Sequence, residues 1–282
     1  MPMVKVIVDS SSDIPGSLAR ELGIVVVPMP VNIAGRSYLE GVDLTTEEFY
    51  PRFRDLPELP KTAQPNLQDL VSYYRQAGAD GSSLLAIHLS SGLSGTVQTA
   101  NLAREMLQGE MEIEVIDSLG ACLGAGMLAI RAAELAREGM DLAALAAEVE
   151  KDKTRMRYVF TVDTLEYLIK GGRVSKVSGM VGTLLDIKPL LQLTAEGKIE
   201  SAGKVRGRRP ALRKLAESIA ADIAGHENQV VGIAHAMCAE DAAVLEAEIR
   251  SRVQVKEILY SEIGCIIGSH TGPGCIALFY RR

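Results

Sequence analysis

Tryptophan is absent from the 282 residues, and aromatics make up only 4% of them. An interior with so few rings is built from Ala, Leu, Ile, Val and Met, which also suit contact with an aliphatic ligand. Basic residues do not dominate: 30 Lys and Arg stand against 36 Asp and Glu, a net charge of −6. That balance argues against general nucleic-acid binding, which needs a basic surface to release counterions, although it leaves room for one local patch. The four cysteines, Cys122, Cys238, Cys265 and Cys275, are scattered and form no C-x-x-C pair. Buried free thiols are therefore expected rather than structural zinc. No pair of His or carboxylates has metal-ligand spacing, so no metal is expected. No apolar run is long enough to span a bilayer, and the opening "MPMVKVIVDSSSD" has no signal-peptide character. A cytoplasmic protein without stable membrane insertion is the expectation. Neither G-x-x-x-x-G-K-[ST] nor G-x-G-x-x-G occurs, which removes both common nucleotide fingerprints.

What is present alternates. "VKVIVDS" (4–10), "GIVVVPMPVNI" (23–33), "SLLAIHLS" (83–90) and "MEIEVID" (111–117) read as strands, with helical stretches at 15–23, 45–56, 66–77 and 94–108. Continuous apolar strands separated by helices predict a parallel sheet covered on both faces, with ligands bound beyond the strands' carboxyl ends. Two helices follow, over 120–138 and 141–154. Then come a strand (157–164), a short helix closed by Gly171–Gly172, a hairpin around Glu196–Gly197, and further helices and strands to the end. The fold class is α/β in two domains. Residues 1–155 carry a parallel, Rossmann-like sheet, and 156–282 an α/β domain with a mixed sheet.

Chemistry concentrates in loops rich in hydroxyls. "SSGLSGTVQTA" (90–100) leaves a strand and enters a helix with five hydroxyl residues between 90 and 99. Ser94 or Thr96 can cap that helix, but one cap would suffice. Ser90, Ser91, Gly92, Gly95 and Thr96 then suit an anion held by hydroxyls and backbone N–H groups. "VDSSSDIP" (8–15) repeats the pattern with Ser10, Ser11 and Ser12 ahead of Asp13, whose plain purpose is a helix start. "LPKTAQPN" leaves Thr62 on an ordered loop. Three such loops at one end of a parallel sheet would form a polar pocket.

Among four histidines, His226 lies in a polar turn, and His88 and His235 fall in apolar strands that suit hydrogen-bonded structural roles. His270, in the turn-rich "GSHTGPG" (268–274), is the functional candidate. Ser94 with His270 and Asp117 or Asp163 would make a hydrolase, but "GLSGT" is not the G-x-S-x-G elbow. The basic cluster "KVRGRRPALRK" (204–214) suits an acidic partner or phosphate groups as well as a solvated helix start.

In order along the chain, "DSSSDIP", "KTAQPN", "SSGLSGTVQTA", "VIDS", "LEYLIKGGRV", "KVRGRRPA" and "HTGPGCIALF" resemble the DegV family of bacterial fatty-acid-binding proteins. One departure is Ala63 before Gln64–Pro65, where serine is commoner in the family. The resemblance implies a long-chain fatty acid buried between the two domains and no cofactor. It implies a carboxylate held by Thr62 and Ser94 with His270 nearby and Thr271 beside it, and Arg173 of "KGGR" reaching it directly or through water. It further implies a partner fatty acid kinase that makes an acyl phosphate for phospholipid synthesis, docking at Arg206 and Arg208. Under that resemblance "GACLGAGMLAI" (120–130) and "VSGMVGTLLDI" (177–187) are walls for an apolar tunnel, and His270 supplies one adjustable charge.

Overall fold

The computed structural model describes residues 3–53, 56, 58–174, 186–223 and 228–282. His226 and residues 177–185 of the second expected wall lie outside them.

Strands β1 (Val4–Asp9), β2 (Val25–Val27), β6 (Ser83–His88) and β7 (Ile113–Asp117) form a parallel sheet in the order β2-β1-β6-β7. Helices α3 (Leu67–Ala77) and α4 (Thr96–Met106) cover one face through Leu70, Tyr74, Ala100 and Ala103. Helices α5 (Cys122–Arg137) and α6 (Leu142–Lys153) cover the other through Leu128, Ala132, Leu145 and Val149. Six of six β6 residues are buried, which is why that run carries no polar alternation.

The run 23–33 is two strands, not one. Pro28 and Pro30 break it, and Pro30 opens β3 (Pro30–Ile33), the first position of a strand that tolerates proline. β3 pairs antiparallel with β4 (Arg36–Leu39) and β5 (Lys61–Thr62) in a separate small sheet. Ala34 and Gly35, both at positive φ, close the β3–β4 hairpin. Helix α1 (Gly16–Leu22) packs on β2 and α5, and α2 (Thr46–Phe53) follows β4 in the chain.

Six further strands, β8 (Met156–Thr161), β9 (Ile187–Leu193), β10 (Ile199–Arg206), β11 (Val230–His235), β12 (Glu257–Glu262) and β13 (Ile276–Arg281), form a mixed sheet in the order β10-β9-β8-β13-β11-β12. Only β11 and β12 pair in parallel. α8 (Arg208–Asp222) and α9 (Ala239–Arg250) bury Leu212, Ile219, Leu245 and Ile249 against one face. Two short helices, α7 (Glu166–Lys170) and α10 (Cys265–Thr271), complete the fold. The segment around His270, expected to be a turn-rich loop, is therefore helical.

Helix α5 lies between the two larger sheets, touching β1 and β6 on one side and β8, β11 and β13 on the other. That position accounts for its run of small residues. A Cβ on Gly124 would stand 2.3 Å from the Tyr158 ring and 2.6 Å from that of Phe279, and one on Gly126 would stand 2.6 Å from the Ser12 carbonyl oxygen. Most of 120–130 is thus close packing rather than tunnel wall.

Candidate functional site

A partly open, mainly apolar cavity of ≈ 340 Å³ lies where α10, the β5 region, the start of α4 and the inner face of the six-stranded sheet meet. Leu89, Leu93, Phe160, Leu168, Leu193, Ile199, Ile263, Ile266, Ile267 and Phe279 supply its apolar lining. From the two expected walls, only Ala121 and Cys122 reach it among the described residues.

Its polar groups lie along the wall in short hydrogen-bonded sets. The Thr62 hydroxyl and His270 Nε2 share a hydrogen bond of 2.8 Å. His270 Nδ1 faces the Gly171 Cα, where a Cβ would stand 2.4 Å away, and has no hydrogen-bond partner. The Gly171 carbonyl accepts from Arg173 Nη1 at 2.6 Å, and Arg173 Nε donates to the Leu93 carbonyl at 3.3 Å. Ser94 follows, its hydroxyl sharing a 2.8 Å bond with that of Thr96. Gln64 donates to the Thr99 hydroxyl at 2.7 Å, and a Cβ on Gly95 would stand 1.9 Å from its amide oxygen. Of the residues named from sequence, Thr62, Ser94, Gly95, Arg173, His270 and Thr271 line the cavity, and Gln64 joins them. The signal for Gln64 was its place in "KTAQPN", two residues after Thr62.

Burial pushes the His270 pKa down to about 4, with the Arg173 charge adding to the effect. In the ligand-free protein the ring is therefore neutral near pH 7. The adjustable charge expected at this position needs an anion beside it to appear.

The other loop residues have different work. Ser90 donates to the Gly197 carbonyl at 2.9 Å, and a Cβ on Gly92 would stand 2.8 Å from the carbonyl oxygens of Glu196 and Gly197. The first half of the hydroxyl-rich loop thus seats the β9–β10 hairpin, and the second half faces the cavity. Ser91 is exposed, its backbone N–H on Asp117. Thr96 is fully buried behind Ser94 and caps nothing; the N-cap is Gly95, without a side-chain bond. Ser10 and Ser11 do not line the cavity. Each donates to a buried carboxylate, Ser10 to Glu40 and Ser11 to Asp9, so the third expected hydroxyl loop belongs elsewhere. Asp13 starts no helix by capping, and instead accepts the Gly264 N–H at 3.0 Å.

His88 is a structural histidine, bonded to Asp9 at 3.0 Å and to the Tyr74 hydroxyl at 2.7 Å. Burial opposes ionisation of Asp9, yet the His88 bond and charge hold its pKa below the ordinary value. His235 Nδ1, by contrast, has no partner. All four cysteines are free thiols. A hydrolytic triad does not assemble: Asp117 accepts backbone N–H groups of Ser91 and Leu119, and Asp163 pairs with Lys188 and Arg208. Arg208 also pairs with Asp241 at 2.8 Å and is largely buried, leaving Arg206 as the exposed member of the expected docking pair. Among the described residues no His/Cys/Asp/Glu group suits a metal, and no helix is long and apolar enough to cross a membrane.

Known proteins resemble this chain along its whole length. The model of the DegV family, described as uncharacterised proteins, matches residues 3–282. A DegV domain-containing protein of Clostridium perfringens is 35% identical over 277 residues, 96% of this chain and 95% of its own. A solved DegV family protein from Thermus thermophilus, described by its fatty acid binding, superposes with a TM-score of 0.92 at 36% identity, covering 99% of this chain and all of that one. A stearic acid-binding protein from Eubacterium ventriosum gives a TM-score of 0.91 at 25% identity, covering 99% and 98%.

Proposed function

The chain belongs to the DegV family, and from that premise we propose that it binds a long-chain fatty acid, alkyl chain in the cavity and carboxylate at the Thr62–Ser94–His270–Arg173 cluster. The observation that carries this reading is the pairing of a mainly apolar cavity with a group of convergent polar side chains at its wall. The fatty-acid and stearic-acid binding of the Thermus and Eubacterium relatives supports it. Burying a sixteen-carbon chain at ~0.8 kcal/mol per CH₂ yields on the order of 11 kcal/mol before entropic costs, enough for the ligand to survive purification. We take residues 1–155 and 156–282 as two domains with the acid between them.

The finer reading is a carrier that presents the acid to a fatty acid kinase in the cytoplasm and performs no chemistry itself. Hydroxyl donors support it, because they hold a carboxylate while leaving an oxygen free to attack a phosphoryl group. A lysine locked onto that oxygen would make it a poorer nucleophile. Arg206 is the exposed residue offered to such a partner, with Arg208 paired to Asp241.

Native mass spectrometry of freshly purified protein, with lipid extraction, tests the binding. A stoichiometric adduct of fatty-acid mass, lost in Thr62→Ala/Ser94→Ala, is expected. Bare protein that also refuses added fatty acid would overturn the reading. For the finer one, acyl phosphate should form only when kinase, ATP and loaded protein are combined, and slow in Arg206→Ala.

A further inference from the structure

Two buried carboxyl groups at the far end of α10 have no part in the site as described. Glu40, at the end of the β3–β4 hairpin, accepts the Ile266 N–H at 3.0 Å, and its second oxygen accepts from Ser10. Asp13, held at φ 47°, accepts the Gly264 N–H at 3.0 Å, with the Cys122 thiol against its carboxyl. The two converge on one point. A Cβ on Gly264 would stand 2.4 Å from a Glu40 oxygen and 2.7 Å from an Asp13 oxygen, so the carboxyl groups are close neighbours. Asp13 is 9% exposed and Glu40 8%, and among the described ion pairs neither meets a Lys, Arg or His.

Side-by-side carboxyls that are mostly buried and meet no cation are costly. Burial and the mutual charge push Asp13 well above the carboxylate range, and burial raises Glu40. An asparagine or glutamine would accept the same N–H groups without that cost. Departures of this kind concentrate where function needs them.

What they hold is the helix that carries the polar cluster. Tyr50 adds a third anchor, its hydroxyl on the Ile263 carbonyl at 2.8 Å. Ile266 and Ile267 line the cavity, and His270 follows Ile266 by about one helical turn and meets Thr62. We propose that Asp13 and Glu40 are positioning residues for fatty-acid binding: they fix the start of α10 and so place His270 against Thr62. The proposal rests on the fatty-acid reading for its consequence, but not for its geometry.

The test reads both. The His270 imidazole resonances of delipidated protein report the placement, with those of His88 as an internal control. Affinity for a fluorescent polyene fatty acid reports the consequence. Glu40→Ala is expected to shift the His270 resonances, leave those of His88 in place and weaken the probe about tenfold, the scale of one lost polar contact. Glu40→Gln restores both to within about threefold. Ser10→Ala, a milder change that releases one Glu40 oxygen, moves both readouts in the same direction and serves if Glu40→Ala does not fold. Unshifted His270 resonances in folded Glu40→Ala or in Ser10→Ala, or weakened binding that Glu40→Gln fails to restore, would overturn the proposal. A wild-type protein that refuses the probe would instead sink the fatty-acid reading, while the resonances still decide the placement.

Discussion

Acidification should separate the ligand-free protein from the loaded one through His270. Without ligand its pKa is pushed down to about 4, by burial first and by Arg173 second, against an ordinary value of 6.5. Between those two values an unfolded chain binds a proton that the folded protein refuses. Stability therefore falls as pH drops from about 6.5 toward 4, and His270 contributes nothing to the pH slope well above 7. At ~1.4 kcal/mol per pKa unit, with some allowance for the ring's partial access to water, the loss is roughly 2–3 kcal/mol. Urea unfolding of delipidated protein at pH 7.5, 5.5 and 4.5 measures it, with His270→Gln as the reference that removes the titration of the carboxylates by subtraction. A bound carboxylate reverses the sign of the local field and raises the His270 pKa. Binding near pH 5.5 should then take up a fraction of a proton, seen as a buffer-dependent enthalpy in calorimetry and absent from His270→Gln. Identical pH slopes in the two proteins, or equal proton uptake on binding, would refute the placement of a neutral histidine beside the carboxylate.

Two perturbations address the scaffold. Gly124→Val puts a side chain where a Cβ alone meets the rings of Tyr158 and Phe279 inside 3 Å; a loss of about 1–3 kcal/mol in chemical denaturation is expected, and an unchanged midpoint would mean that α5 is not gripped between the sheets. His88→Ala leaves Asp9 buried without its partner, and about 3 kcal/mol of destabilisation at pH 7 should follow, shrinking as acid protonates Asp9.

Much of the fold was legible because its strands and helices differ in period and length. The parallel sheet followed from four short apolar runs, and each supplies one of its strands, although 23–33 supplies only its first part, β2. Periodicity does not say which sheet a strand joins, so 23–33 read as one strand although Pro28 and Pro30 stand in it. The β3–β4 hairpin was readable in principle from Ala34–Gly35 ahead of Arg36. Helix α10 was not. Its Gly268, hydroxyls and following Gly-Pro-Gly all favour a turn locally, and tertiary contacts decide otherwise. A Cβ at 268 would stand 2.5 Å from the Tyr50 hydroxyl, so the glycine that weakens the helix is also what lets it dock.

The same distinction explains the site. Hydroxyl residues mark polar loops, but sequence does not say whether a hydroxyl faces a ligand or a neighbouring chain segment. Of the ten hydroxyl residues read as loop donors, Thr62, Ser94 and Thr271 reach the cavity. Ser10 and Ser11 serve the buried carboxylates of Glu40 and Asp9, and Ser90 anchors the hairpin that contributes Leu193 and Ile199 to the lining. The apparent surplus of caps in "SSGLSG" is therefore two functions in sequence. Its first residues attach the six-stranded sheet to the loop, and its last ones present neutral donors to whatever the attachment encloses. A site assembled this way cannot form until both sheets are in place, which ties its polarity to the closure of the apolar cavity beside it.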